Sequence, residues 1–187
     1  MSKKVLVPLA EGFEEIEAVA VIDVLRRGGL EVLVRSLDDA LEVEGAHGLV
    51  IKAERAIGEL GADDIDMIVL PGGGGGTKRL AEHAGVQSLL AAMDAKGKPI
   101  GAICAAPIAL NAAGVLKPNY TAYPGVEKEI RTEGFQGDRA AVVEDANVMT
   151  SRGPGTAICF GLEIVKKLAG ESAYESVKRG LLADYCA

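Results

Sequence analysis

The sequence is poor in the residues that build several common kinds of site. It has no tryptophan, two histidines and three cysteines, and aromatic residues make up 4% of its 187 residues. The number of cysteines is odd, and their spacing is not that of metal ligands, so they predict neither a disulfide framework nor a zinc site. They are Cys104, Cys159 and Cys186. We therefore expect neither a zinc enzyme nor a small secreted domain held by disulfides.

A basic excess and a long apolar segment are also missing. Acidic residues outnumber basic ones by 27 to 20, for a net charge of -7, which argues against nucleic acid or an anionic membrane as a partner. No apolar run approaches the length of a membrane span, and the start at Met1–Pro8 is too short in apolar length for a signal peptide. We expect small molecules or proteins as partners and a cytoplasmic location.

What the sequence does contain is enough apolar material for one full core. Hydrophobic residues make up 49% of the chain, and no linker, repeat or low-complexity segment divides it, so residues 1–187 are expected to form a single domain. Short β-branched runs alternate with amphipathic stretches, which predicts an α/β fold with a mostly parallel sheet and helices on both faces. The predicted strands are Lys4–Leu9, Glu31–Ser36, Ile65–Leu70, Ile100–Ile103, Ala140–Glu144 and Val148–Thr150.

Amphipathic spacing places the helices between these strands. A further segment, residues 42–53, is interrupted by glycines and predicts a small hairpin at the sheet edge. The predicted helices are Glu14–Arg27, Thr77–Glu82, Val86–Lys96, Thr156–Ala169 and Ala173–Leu182.

Cys104 occupies the most informative position. The chain passes from the predicted strand Ile100–Ile103 through this cysteine directly into a helix, which is typical of a nucleophile elbow. A thiol on such an elbow is exposed at the top of the sheet, and the helix N-terminus is expected to lower its pKa. The alternative is a structural cysteine that is buried as a small hydrophobe.

Three unusual segments follow predicted strands and are expected to meet at the carboxyl edge of the sheet, where open α/β sheets bind ligands. Their convergence favours the functional interpretation of the cysteine. The segments are Glu11–Glu17, Pro71–Gly76 and Cys104–Pro107.

The glycine run Pro71–Gly76 does not fit a phosphate-binding loop, because the threonine after it precedes the lysine rather than following it. Its lack of side chains exposes the backbone instead. Gly73 or Gly74 can present an N–H toward Cys104 and form an oxyanion hole with the N–H of Ala105.

Glu17 is the second candidate for chemistry. It shares one face of the first predicted helix with three apolar residues, Phe13, Val21 and Val24. Burial there is expected to raise the pKa of the Glu17 carboxyl, which can then donate a hydrogen bond to a thiolate and move protons near neutral pH. Glu14 fits a charge favoured at a helix start and a group inside the pocket equally well, whereas Glu15 is expected to face solvent.

Four motifs, in this order along the chain, resemble those of the ThiJ/PfpI superfamily and fit best its DJ-one/YajL-like branch. Together they cover essentially the whole chain. The motifs are Glu11–Glu17, Val69–Gly73, Ala102–Pro107 and Thr150–Thr156.

The resemblance implies a flavodoxin-like three-layer sandwich and usually a homodimer. It implies that Cys104 is the nucleophile and redox-sensitive thiol and that Glu17 hydrogen-bonds to it. It also implies that main-chain groups of Gly73 and Ala105 form an anion-binding hole, with Glu14 nearby. Activities of the family include glutathione-independent glyoxalase, disputed protein and nucleotide deglycation, peroxide scavenging and chaperoning.

The chain departs from the family at two places. Many members have a histidine where Thr121–Pro124 has Tyr123, and a tyrosine with a pKa near 10 is a poor proton shuttle at neutral pH. His47 replaces an arginine that often precedes a strand, and it either lines the pocket mouth or sits in an exposed hairpin; His83 is expected at the surface. Ala105 stands where PfpI-type peptidases have a histidine, so a Cys peptidase or amidotransferase-like hydrolase is less favoured.

These observations predict a Cys/Glu enzyme of the glyoxalase type, without metal or organic cofactor. Its substrate is expected to be a small reactive carbonyl, a 2-oxoaldehyde such as methylglyoxal, and Cys104 and Glu17 are its predicted catalytic pair. The residues predicted to bind the substrate or its oxyanion are Gly73, Ala105, Glu14 and Tyr123. The alternatives are a redox-sensing oxidative-stress protein with an oxidisable Cys104, and a chaperone whose function does not need that cysteine.

Overall fold

The computed structural model describes residues 2–58 and 60–186. Nine strands and seven helices form within these residues. The strands are β1 (Lys4–Leu9), β2 (Glu31–Ser36), β3 (Glu42–Glu44), β4 (Val50–Lys52), β5 (Arg55–Ala56), β6 (Met67–Leu70), β7 (Ile100–Ile103), β8 (Val142–Asp145) and β9 (Val148–Ser151). The helices are α1 (Glu15–Arg27), α2 (Gly74–Glu82), α3 (Ala84–Ala95), α4 (Pro107–Ala112), α5 (Glu127–Ile130), α6 (Ala157–Ala169) and α7 (Glu171–Gly180), with a 3₁₀ turn at Pro154–Thr156.

The central sheet has seven strands in the order β5-β2-β1-β6-β7-β9-β8. All neighbouring pairs are parallel except β8 and β9, which are antiparallel. Alternate strand residues point to opposite faces, so Val5 packs into the core beneath α1 and α6, whereas Leu6 packs into the core beneath α2, α3 and α4. The predicted mostly parallel sheet between two helical layers is confirmed.

The predicted hairpin forms, but it is not the edge of the central sheet. β3 and β4 pair with each other as a separate two-stranded sheet, and β5, which was not predicted, occupies the edge beside β2. The short helix α5 was also missed. None of the helices within residues 2–58 and 60–186 is long and apolar enough to cross a membrane.

The expectation that the cysteines form no disulfide was wrong for Cys159 and Cys186. Cys159 of α6 and Cys186 form a disulfide, with their Cα atoms 5.2 Å apart. Both residues are buried in the core on the α1 side of the sheet. The chain returns along α7 to α6, so two cysteines separated by 27 residues meet. Cysteine count and spacing do not reveal such a return.

Candidate active site at Cys104

Cys104 directly follows β7 and has the left-handed backbone conformation of a sharp turn, with φ at 64°. Its N–H donates to the carbonyl oxygen of Ser151 at 3.0 Å, and its carbonyl oxygen accepts from the N–H of Tyr123 at 3.0 Å. These two bonds tie the turn to the end of β9 and to the loop before α5. A non-glycine residue held at positive φ is strained, and the surrounding bonds keep it there. The predicted elbow is therefore present.

The sulfur of Cys104 faces main-chain N–H groups from two elements. The N–H groups of Gly73, which caps α2, and of Ala105, in the turn before α4, both hydrogen-bond to it. The carboxyl group of Glu17, from the first turn of α1, also hydrogen-bonds to the thiol. Three of the sequence-predicted groups thus meet around the sulfur atom of the fourth, Cys104.

Glu17 is fully buried. Its Oε2 accepts a hydrogen bond from the N–H of Gly72 at 2.8 Å, whereas its Oε1 bonds to no nitrogen or oxygen of the described residues. Burial is the main cause that raises the pKa of this carboxyl to about 7, with a contribution from the charge of Glu14; the bonds from Cys104 and Gly72 oppose the rise. The predicted upward shift is confirmed.

The expected lowering of the Cys104 pKa was wrong. Burial of the thiol, followed by the charge and hydrogen bond of Glu17, raises its pKa to about 12, and the N–H groups of Gly73 and Ala105 only partly offset this. The carboxyl and the thiol therefore compete for one proton, and the pair loses its first proton near pH 7. The reactive thiolate is the form of this pair in which Glu17 keeps the remaining proton.

Two glycines allow these groups to approach one another. A Cβ on Gly72 would lie 2.6 Å from Oε2 of Glu17 and 2.7 Å from Cβ of Cys104, and a Cβ on Gly73 would lie 2.3 Å from the carbonyl oxygen of Gly12. Gly73 also has φ at 89°, which other residues rarely adopt. Gly72 was not among the predicted site residues, because nothing in a run of five glycines marks one of them as the partner of Glu17.

Glu14 caps α1, and its Oε2 accepts from the N–H of Glu17 at 2.7 Å. The structure thus shows Glu14 as a helix cap, and this cap lies next to Glu17. His83, expected at the surface, is partly exposed and caps α3 by accepting from the N–H of Val86.

The expectation that Glu15 faces solvent was wrong. Glu15 is 4% exposed, because the turn of the β3–β4 hairpin lies over it. Its carboxylate accepts from the N–H of His47 at 2.6 Å and bonds to Nδ1 of the same residue at 2.8 Å. Burial opposes ionisation, but the hydrogen bonds of His47 and Leu49 outweigh it and lower the pKa of Glu15 to about 2. The exposed hairpin position of His47 is the alternative that the structure supports.

Glu14, Glu15 and His47 are also the metal-capable group found among the described residues, with ligand atoms within 4.8 Å of one another. Bonds to the backbone and between Glu15 and His47 already occupy most of these atoms. The group is therefore accounted for by helix capping and by the hairpin contact.

Tyr123 is half exposed at the mouth of the site. A Cβ placed on Gly153 would lie 3.2 Å from the Tyr123 ring and 4.0 Å from Oε1 of Glu17, so the ring and the carboxyl approach the same point. Gly153, also absent from the predicted site residues, leaves that space open. It belongs to the motif Thr150–Thr156, whose resemblance to the family motif had already indicated this loop in the sequence.

Comparison with known proteins identifies the family. A model of the DJ-1/PfpI family matches residues 3–167. The Drosophila melanogaster protein dj-1beta is 39% identical over 99% of this chain and 100% of its own length, and its crystal structure matches 97% of this chain and 98% of that chain with a TM-score of 0.92. The glutathione-independent glyoxalase DJR-1.2 of Caenorhabditis elegans is 37% identical over 96% of this chain and 95% of its own length. An oxidized DJ-1 from Toxoplasma gondii is 36% identical, with a TM-score of 0.87 over 97% of this chain and 98% of that chain. With the family model matching most of the chain and these relatives aligned nearly end to end, the chain belongs to the DJ-1/PfpI family.

Proposed function

We propose that this protein is a cysteine-dependent, glutathione-independent glyoxalase that converts a 2-oxoaldehyde such as methylglyoxal into a 2-hydroxy acid. The observation that carries the proposal is the Cys104 sulfur, which faces a buried carboxyl with a pKa near 7 and two main-chain N–H donors. A nucleophile, a proton carrier and an oxyanion hole are the three parts that this reaction needs. The glyoxalase relative from C. elegans supports the same activity.

The steps balance without an external oxidant or cofactor. The thiolate of Cys104 forms a bond to the aldehyde carbon, and protonated Glu17 gives its proton to the resulting oxygen, which yields a hemithioacetal. The Glu17 carboxylate then takes the hydrogen of the same carbon as a proton, and the ketone oxygen is protonated, which gives the enediol. Glu17 returns its proton to the neighbouring carbon, and the hydroxyl group on the sulfur-bearing carbon gives up its proton as the thioester carbonyl forms, which replaces the proton taken up by the ketone oxygen. The aldehyde carbon is thereby oxidised and the ketone carbon reduced. Water releases the 2-hydroxy acid from the thioester and restores the thiol.

The groups around the sulfur suit these charges. The N–H groups of Gly73 and Ala105 are directed at the sulfur, so they also lie close to an oxygen on the carbon bonded to it. A carboxyl with a pKa near 7 is populated in both protonation states at neutral pH, as a group that alternates between acid and base requires.

Lactate formation from methylglyoxal without glutathione tests the proposal. We expect turnover by the parent protein, none by Cys104→Ser, and a loss of about 10²–10⁴-fold in Glu17→Gln, the usual contribution of a general acid–base group. Glu11→Gln is the matched control, because Glu11 lies in the same loop with an exposed side chain. Unchanged turnover in Cys104→Ser, or none in the parent, would refute the assignment.

Deglycation of proteins is a second activity that we propose for the same site. A true deglycase releases adducts already formed on lysine or arginine, whereas a glyoxalase only removes the free aldehyde that forms them. Preformed, aldehyde-free adducts incubated with the protein separate the two. Persistence of the adducts would exclude the deglycase activity.

A redox-sensing role is the second candidate, because the same donors surround the sulfur atom itself. Two equivalents of peroxide would convert the Cys104 thiolate to a sulfinate and release two waters, and the sulfinate oxygens would accept from Gly73, Ala105 and protonated Glu17. The oxidized T. gondii relative supports this role. Mass spectrometry after peroxide treatment should show two added oxygens on Cys104 in the parent and further oxidation in Glu17→Asp, whose shorter side chain holds the sulfinate less well. Equal products in both would refute the role of Glu17.

A homodimer and a cytoplasmic location complete the proposal. Supporting a dimer, the outer face of α1 and the adjoining hairpin carry large apolar side chains that are at least half exposed. Light scattering tests it, and a monomer at micromolar concentration would refute it. The exposed side chains are Ile16, Val19, Leu49 and Val50.

A further inference from the structure

Glu14 connects the two parts of the Cys104 site that come from different segments. Its carboxylate Oε2 accepts from the N–H of Glu17 at 2.7 Å, and its own N–H donates to the carbonyl oxygen of Gly72 at 3.0 Å. The N–H of Gly72 in turn donates to Oε2 of Glu17 at 2.8 Å. Glu14, Glu17 and Gly72 therefore form a closed ring of three hydrogen bonds, and the next residue, Gly73, supplies one of the N–H donors to the sulfur.

We infer that Glu14 is a positioning residue for the Cys104 site: its carboxylate holds the main chain of Glu17, which carries the buried carboxyl, and its N–H holds the Gly72–Gly73 turn. One residue thus contacts both the segment that carries the carboxyl and the turn that carries an N–H donor to the sulfur. The inference rests on the proposed function in treating Glu17 as the proton carrier of Cys104.

Glu14 is 8% exposed, so water screens its charge poorly. The groups that face Glu17 are Glu14 at the start of α1, the N–H of Gly72 after β6, the thiol of Cys104 after β7 and the side chain of Tyr123 in the loop before α5. Among these, Glu14 is the group whose charge acts on Glu17. It adds to the effect of burial in favouring the protonated form of Glu17. A residue that acts only as a helix cap would not need this charge.

Neutral and charged substitutions separate capping from charge. Glu14→Gln keeps an oxygen that can accept from the N–H of Glu17 but removes the charge. Glu14→Asp and Glu14→Asn form a second pair, because both are favoured helix caps and differ in charge. The matched control is Glu11→Gln, which removes an exposed charge from the same loop.

The experiment follows the pH dependence of Cys104 alkylation by iodoacetamide, read by peptide mass spectrometry. In the parent protein the rate should rise through a midpoint near pH 7, where the Cys104–Glu17 pair loses its first proton. In Glu14→Gln the midpoint should fall by about 0.5–1 pH unit, since the carboxyl ionises more readily without a neighbouring charge. Glu14→Asp should retain the parent midpoint, and Glu14→Asn should show the same fall as the glutamine variant.

A Glu14→Gln midpoint equal to that of the parent, or an Asp/Asn pair with one common midpoint, would overturn the inference and leave Glu14 as a helix cap. An equal fall in Glu11→Gln would also overturn it, because the effect would then be one of net charge. The Asp/Asn pair decides the matter if the glutamine variant does not fold. Alkylation needs no turnover, so a parent protein that forms no lactate would refute the glyoxalase proposal without touching this measurement.

Discussion

Replacement of Glu17 by glutamine is expected to stabilise the folded protein at alkaline pH while it removes activity. Burial raises the pKa of this carboxyl from 4.5 to about 7 on folding. A group whose pKa is raised in the folded state contributes its full stability below the unfolded pKa and loses it as the pH rises through the folded pKa. Glu17 thus favours folding below about pH 4.5, and this contribution disappears between that pH and about pH 7.

The magnitude follows from the two pKa values. At about 1.36 kcal/mol per pKa unit, ionisation of the buried carboxyl lowers the free energy of unfolding by roughly 3 kcal/mol above pH 8. Glutamine does not titrate, and its amide can accept from Gly72 and donate toward Cys104. Glu17→Gln should therefore raise the melting temperature by roughly 6–12 °C at about pH 8.5 and by less than a third of that at about pH 5.

Thermal unfolding followed by far-ultraviolet circular dichroism measures this, since the chain has no tryptophan. Glu15→Gln is the matched control of opposite sign, because its hydrogen bonds with His47 and Leu49 outweigh burial and lower its pKa to about 2. Such a group contributes stability above the unfolded pKa of 4.5 and loses it as the pH falls toward 2. The exposed His47 lets water screen the pair, so Glu15→Gln should destabilise the protein by only about 1–2 kcal/mol at neutral pH.

An equal rise in melting temperature at both pH values would refute the reasoning, because the gain would not come from the ionisation of Glu17. A fall in melting temperature at about pH 8.5 would show that the carboxylate stabilises the folded state, contrary to the shift caused by burial.

Three further predictions concern the reactivity of Cys104, the Cys159–Cys186 disulfide and Tyr123. Without a reductant, brief alkylation should modify Cys104, since Cys159 and Cys186 are bonded to each other; label on either of them would contradict the disulfide. Cys186→Ser should lower the free energy of unfolding by roughly 3–4 kcal/mol, the loop-entropy value for a separation of 27 residues, and a dithiol reductant should destabilise the parent to a similar extent without affecting this variant; an unaffected parent would refute it. Tyr123→Phe should reduce turnover by no more than about tenfold, the loss of one neutral hydrogen bond, and Tyr123→His should maintain or increase activity with a new titration near pH 6.5. A loss of several orders of magnitude in the phenylalanine variant would make the phenol an essential acid.

Local sequence patterns were sufficient for six of the seven strands of the central sheet, for the elbow and for the burial of Glu17. The succession of a buried strand, Cys104 and a helix depends on residues adjacent in the chain, and the elbow appears where that succession predicted it. Glu17 shares a helix face with apolar residues at fixed spacing. An apolar helix face packs into the core regardless of which other element lies against it.

The tertiary structure decided the charges and the pairings. Glu15 begins α1, and the helical pattern places it on the solvent side. The β3–β4 hairpin folds over it, and no local sequence pattern predicts that contact. Cys186 meets Cys159 because α7 returns to α6. The pKa of Cys104 depends on its distance from Glu17 as well as on its place at a helix start, and that distance is set where β1, β6 and β7 end side by side. Helix and strand periodicity is a property of neighbouring residues, so the sequence alone determines it. Desolvation and charge–charge energies depend on distances between remote segments, which exist only once the chain has folded.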